Sequence, residues 1–314
     1  MMVSVKKSKL KRILIIIFTS VLVFCAISMA ATKLIYDRIF LRYDTPVQIP
    51  QWLSATVQTR QECHFYSGEN QLTGYYYPAA EQSHSRGLIV FVPGFHAGGD
   101  NYLQQIHQLL SYGWSVFTFD TTGTGRSQGK NQVGFSQVIP DLEAALKYVE
   151  NQNRFGYNEL ILMGHSRGAY AACCVLPHVQ DITAVVSISG VNSAMEAVMQ
   201  MSENAIGPVS YGNYGFLWLY QATLFGKETL TLQADDILSV EDVPVLVVHG
   251  TKDTEVPTDS CSIISYKETI GSENVEYLLC DAGHTDLLYD DDGTANDTLM
   301  ESIHNFLIRC VEEE

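Results

Sequence analysis

Positive charge is scarce in this chain. Against 35 Asp and Glu it has 19 Lys and Arg. Five of those, Lys6, Lys7, Lys9, Lys11 and Arg12, fall within the first twelve residues, which hold no acidic one. Setting that tail's +5 aside from the formal charge of −16 leaves −21 for the remainder. Such a body has no basic face for nucleic-acid phosphates or anionic headgroups, so neither is expected as a partner. Solubility is the simplest reading of the acidity. The seven cysteines and the histidines show no metal-ligand spacing, so no metal or cofactor is expected. Adjacent Cys173 and Cys174 read as small packing residues rather than a redox pair. If the domain lies outside the cytoplasm some pair could be oxidised, with connectivity left open. No internal repeat or low-complexity segment is present, which excludes a repeat array.

The chain does contain two Gly-x-Ser-x-Gly segments, Gly125–Gly129 around Ser127 and Gly164–Gly168 around Ser166. One such match arises by chance in roughly one sequence of this length in ten, so context decides. The second follows Glu159–Met163, a short apolar run that reads as a buried strand. It precedes Ala169–Leu176, small and apolar, which reads as a buried helix interrupted by Pro177. Strand, sharp turn, helix is the setting of a nucleophile elbow, in which glycines make room for neighbouring backbone and the helix N-terminus favours negative charge. Ser127 sits instead in the glycine-rich loop Asp120–Gly129, where no helical pattern opens.

A serine hydroxyl needs a base, and the base needs an orienting carboxylate. Val243–Gly250 reads as a strand with Asp253 three residues past its glycine; Val275–Cys280 reads as another, with His284 on the loop that follows. The order Ser166, Asp253, His284, each past the C-terminal end of a strand, fits one architecture. Asp259, Asp281 and Asp286 compete with Asp253; Asp281, three residues before His284, is the minor alternative. His249 reads as a buried, hydrogen-bonded residue closing its strand. His96 could contact substrate or cap its loop, and Arg167 could bind an anionic group or simply be tolerated.

On these residues the chain resembles the α/β-hydrolase superfamily, and within it the single-domain hydrolases grouped with serine aminopeptidases and monoacylglycerol lipases, over roughly residues 60 to 310. The resemblance implies Ser166 as nucleophile, His284 as general base and then acid, and Asp253 as its partner. It identifies the Asp120–Gly129 loop as structural. It also implies an oxyanion hole from two backbone amides, that of Arg167 and that of Phe95 on the loop Pro93–Gly99. The chain departs from the family at Pro93, where histidine is usual; an amide donor remains.

Ile13–Thr32 is an uncharged run of 20 residues, long enough as a helix to cross a hydrocarbon core of about 30 Å. With the basic tail before it, it reads as a signal-anchor, residues 1–12 cytoplasmic and the catalytic domain outside. The alternative is a signal peptide cleaved near Ala30, after Ser28-Met29-Ala30. A lipoprotein is disfavoured by bulky Phe24 before Cys25. Residues 33–54 then form a connector and 55–314 one large α/β domain.

Asp100 is expected to cap a helix carrying Leu103, Ile106 and Leu109. Short apolar strands alternate with helices along the domain, which means a mostly parallel sheet covered on both faces. Residues near 55–66 and 72–77 are expected to form an antiparallel hairpin at its edge. Residues 191–242 break the rhythm with Met195, Met199, Met201 and aromatics from Tyr211 to Phe225; by position this is a cap, suited to an apolar acyl or aryl pocket or to plain packing. The expected activity is hydrolysis of carboxylic esters, possible thioester or lipid-ester substrates included. An aminopeptidase-like amidase and a noncatalytic binding module on the same scaffold are the competing readings. Oligomeric state is left open.

Overall fold

The computed structural model describes residues 2–44, 46–80, 85–152 and 155–312, with side chains from residue 9 onward; the side chains of Lys6 and Lys7 lie outside the described residues. In chain order, helices α1 (Met2–Ile39) and α2 (Ser54–Thr59) precede strands β1 (Gln61–Ser67), β2 (Asn70–Tyr77) and β3 (Leu88–Val92). Then come α3 (Leu103–Ser111), β4 (Ser115–Phe119), α4 (Val138–Glu150), β5 (Leu160–His165), α5 (Arg167–Cys174) and β6 (Ala184–Ile188). Residues 191–242, expected from the sequence to form a cap, carry α6 (Ala194–Ile206), α7 (Tyr214–Leu230) and α8 (Ala234–Leu238), followed by β7 (Val245–Gly250), α9 (Lys267–Ile270), β8 (Val275–Cys280) and α10 (Asp297–Glu312).

The strands form one sheet in the order β1-β2-β4-β3-β5-β6-β7-β8. β1 and β2 pair antiparallel, as do β2 and β4, and every later pairing is parallel. This is the α/β-hydrolase architecture. Because side chains alternate along a strand, β3 sends Leu88, Val90 and Val92 into an apolar cluster on one face and Ile89 and Phe91 into a second on the other. Helices α4 and α5 close the first cluster; α3 and α10 close the second. In α10, Leu299, Met300, Ile303, Phe306 and Leu307 are all buried, the one-sided spacing of an amphipathic helix.

Three local expectations are revised. The edge hairpin is narrower than residues 55–66 and 72–77: residues 54–59 are helical, and the strands are joined through Gly68, whose φ of 56° needs no Cβ to be comfortable. Asp100 does not cap α3. That helix opens out of a 3-10 turn with Gly98 at its start, and the Asp100 carboxylate instead accepts from Arg60 Nη1 at 2.5 Å. Nor is the stretch after Thr32 a free connector. α1 runs on unbroken through Ile39, and Tyr36 and Phe40 are buried in the first core cluster. The Lys33–Asp37 pair that ends the uncharged run is compatible with helix, since residues four apart stack along one face. Beyond it, the Arg42 guanidinium donates to the carbonyls of Gly125, Ser127 and Gly129. Between Lys9 and Ile39 the helix is long and apolar enough to cross a membrane, and none of its most apolar stretch is buried.

Candidate active site

The parallel register aligns the C-terminal ends of β3, β5, β7 and β8, so the loops leaving them meet at one edge of the sheet. Val92 pairs with Gly164, and His249 with Leu279. Ser166 leaves β5 at φ 55° and ψ −118°, a left-handed conformation that a side chain rarely adopts. The strain is held by backbone hydrogen bonds: Ser166 N donates to Ile188 O at 2.8 Å, and Tyr170 N donates to Ser166 O at 3.1 Å. A Cβ on Gly164 would lie 2.3 Å from the carbonyl carbon of Gly168, and one on Gly168 would lie 2.0 Å from Val92 O. Those two glycines therefore serve close approach rather than unusual dihedrals. α5 begins immediately after Ser166 and is buried along its whole length, so its N-terminal dipole acts in a dry setting.

His284, on the loop after β8, is 8% exposed, and its Nδ1 lies 2.6 Å from Asp253 Oδ2. The other Asp253 oxygen accepts from the amides of Glu255 and Val256 at 2.9 and 2.8 Å. Burial alone would raise the Asp253 carboxyl; hydrogen bonds from His249 and His284 outweigh it and hold the group well below the usual carboxylate range. The carbonyl of His284 accepts from Ser189 Oγ at 3.0 Å and His165 Nε2 at 3.1 Å, so His284 is held at both ring and backbone.

His165 carries that support across the site. Its Nε2 donates to His284 O, which makes Nδ1 an acceptor for the Tyr102 hydroxyl at 3.0 Å; the Tyr102 oxygen in turn accepts from Gly94 N at 3.0 Å. A directional chain therefore links the loop after β3 to the loop after β8. Burial, then the neighbouring His284, pushes the His165 imidazole down to about 3, so it is neutral across the physiological range. On the β3 loop, neither the Phe95 amide nor that of Arg167 makes a hydrogen bond among the described residues, and Phe95 lines the same cavity as Ser166. His96, also on the lining, stacks on Phe95 and on Tyr43, with centroids 3.8 and 5.0 Å apart. Burial lowers its pKa.

The cavity holds about 410 Å³ and brings Ser166 and His284 together with Phe135, Met201, Val256 and Leu288. Other predicted residues lie elsewhere. The Arg167 side chain is buried and donates to the carbonyls of Phe135 and Gly134 at 2.8 and 2.9 Å and to Gln132 Oε1 at 3.3 Å. It fastens the loop before α4 and is not on the cavity lining, which corrects the anion-binding reading. Ser127 is buried, donating to Asp120 O at 2.5 Å and accepting from Thr73 N at 2.8 Å. Asp281 is exposed and paired with Lys252. Two contacts escaped the sequence. His249 closes its strand, buried, with Nε2 2.8 Å from Val256 O, but the same nitrogen is 3.3 Å from Asp253 Oδ2. The Tyr102–His165 link joins residues 63 apart in the chain, and no local pattern announces it.

Residues 83–210 match the family model described as serine aminopeptidase, S33. A proline iminopeptidase of Saccharolobus solfataricus is 28% identical over 130 residues, 40% of each chain. A lysophosphatidylserine lipase of Danio rerio is 25% identical over 162 residues, 51% of this chain and 41% of the lipase. The chain thus spans about two fifths of the length of these relatives. A Pyrococcus furiosus esterase superposes with a TM-score of 0.65 at 18% identity, covering 86% of this chain and 98% of that one. The Butyrivibrio proteoclasticus protein Est1E, bound to ferulic acid, superposes at 0.62 and 16% identity, covering 80% of this chain and 99% of that one. Sheet order, strand-end loops and these likenesses agree on the fold: the chain has the α/β-hydrolase fold, and its residues 83–210 match the serine aminopeptidase family model.

Proposed function

We propose that this hydrolase is a membrane-anchored serine enzyme that cleaves carboxylic esters through an acyl-enzyme. The observation that carries the reading is the pairing of His284 Nδ1 with a buried, amide-held Asp253 at 2.6 Å, on the cavity that a strained Ser166 also lines. In this reading His284 Nε2 takes the proton of Ser166 Oγ as that oxygen attacks the ester carbonyl. The imidazolium is stabilised by the ionised Asp253, and the developing oxyanion by the Phe95 and Arg167 amides at the N-terminus of α5. Collapse releases the alcohol with the proton from His284. Water, deprotonated by the same nitrogen, then frees the acid.

Fluorophosphonate labelling followed by an acyl-chain-length ester panel tests the proposal. Labelling lost in Ser166→Ala and turnover of esters are expected; a wild-type enzyme that neither labels nor turns over any ester would leave a binding module on the same scaffold. An amidase reading is favoured by one finding, the likeness to serine aminopeptidases, and aminoacyl-arylamide substrates in the panel decide it. For the anchor, the full-length protein is expected to stay with membranes through alkaline carbonate, and its C-terminal domain to be digested by protease added to intact cells. A mature form beginning near Ala31 would make it a secreted enzyme instead, and protection from protease would put the domain inside.

A further inference from the structure

The longest uncharged stretch of the chain is not the N-terminal run of 20 residues but residues 204–226, 23 residues with no Asp, Glu, Lys, Arg or His. In an acidic protein a surface segment of that length without charge is anomalous. It is also the part of the folded body that exposes apolar side chains in a group: Ile206 is 57% exposed, Val209 72%, Tyr211 57%, Tyr214 47% and Leu219 48%. Such a patch marks an interaction surface. What covers it is indicated by its neighbour, for α7 packs along α1. The Tyr220 hydroxyl bonds to Asp37 and Lys33, Asn213 Nδ2 donates to Thr32 Oγ1 at 2.8 Å, and Phe216 meets Phe24 edge-on with centroids 6.3 Å apart. Phe24 lies eight residues inside the Thr32 end of the apolar run, about 12 Å along a helix axis. If Ile13–Thr32 fills the hydrocarbon layer, the cap that touches Phe24 cannot stand clear of it.

We propose that the outer surface of the cap, the turn from Ile206 to Asn213 and the first half of α7, is seated in the bilayer beside α1. This rests on the membrane-anchored reading above and adds a second contact. The uncharged composition then has a physical cause, because each charge there would need desolvation, and Tyr211 and Tyr214 suit the interfacial zone. Seating the cap also sets where substrate enters. Met201 and Asn204 on α6 line the Ser166 cavity, immediately before Ile206, and Phe40 at the end of α1 packs on Phe95 at 5.2 Å. The cavity mouth is therefore held at the lipid surface, placed to take an amphiphilic ester from the leaflet rather than from bulk water.

The test uses the full-length protein in phosphatidylcholine nanodiscs, with and without brominated acyl chains. Fluorescence added by Val209→Trp over the parent should be quenched at least twofold by brominated lipid. That added by Val240→Trp should not, since Val240 is 75% exposed but precedes β7, at the opposite edge of the sheet from Ser166. In a second arm, Ile206→Asp with Val209→Asp should leave turnover of a short soluble ester within twofold and lower turnover of a long-chain ester embedded in the discs at least tenfold. An unquenched Val209→Trp in protein that stays with the discs through carbonate overturns the seated cap and spares the anchor. So does an equal effect on both esters. Protein that leaves the discs in carbonate overturns the anchor and this proposal with it.

Discussion

Two turns of identical pattern, one around Ser127 and one around Ser166, have opposite fates in this fold. Around Ser127 the glycines supply conformation: Gly125 and Gly129 have φ of 50° and 125°, and the serine hydroxyl donates to the carbonyl of Asp120 and accepts from the amide of Thr73. Around Ser166 the glycines supply room and the serine itself takes the positive φ, leaving its hydroxyl toward a cavity. The flanking residues diverge in the same way. Arg126 is a surface residue paired with Glu62, whereas His165 is buried and bonded to the main chain of His284. A hydroxyl already committed to structure is not free to attack; the Ser166 hydroxyl, on the cavity lining and with no hydrogen bond among the described residues, is the one the proposed mechanism uses.

The sharpest way to break the contrast is the pair Ser166→Ala and Ser127→Ala. The first should abolish fluorophosphonate labelling and lower kcat by on the order of 10⁶, the scale seen when a triad nucleophile is removed. The second should label as well as the parent, and labelling lost only in Ser127→Ala would reverse the two roles. Next in size, Asp253→Asn should lower turnover by roughly 10⁴ with the fold retained, and exposed Asp281→Asn should leave it unchanged; steady-state kinetics on both variants distinguishes them.

Gly168→Ala tests the claim about room. Its Cβ would meet Val92 O at 2.0 Å, so denaturant titration should show a loss of about 3 kcal/mol as backbone is forced apart; a neutral substitution would mean the elbow has slack that the structure denies.

Acid should act on the Ser166 turn through His165. Its folded pKa of about 3 lies below the ordinary value, so the unfolded chain takes up a proton that the folded one refuses. That contribution is complete above the unfolded pKa and is lost as pH falls toward 3, amounting to about 2 kcal/mol between pH 7 and 5. His165→Gln should flatten the slope of stability against pH in that window, and Arg126→Gln should not. The smallest effect is expected in Ser127→Ala itself, about 1–2 kcal/mol from the Thr73 amide left without its acceptor.

Much of this was legible in the chain. Short apolar runs between polar residues identified the parallel strands, because a strand buried on both faces has no polar side to show. The strand-turn-helix context separated Ser166 from Ser127, and the order of Asp253 and His284 along the chain pointed to the loops that meet it. The strand and turn signals are local, depending on neighbours within about ten residues, where hydrophobic period and turn chemistry are written directly; the order of the three residues is informative only against the chain order of a known architecture.

What remained hidden depends on contacts between distant segments. Nothing around Tyr36 or Phe40 says that the helix leaving the apolar run docks into the core, since the aromatic rings that receive them lie more than fifty residues away. The approach of His249 to Asp253, the Tyr102–His165–His284 chain and the inward course of the Arg167 side chain are likewise set by how the sheet brings its strand ends together. Local sequence can specify which element forms and which residue stands at its end. Only packing, which optimises buried area and hydrogen bonding over the whole chain at once, decides which of those ends will touch.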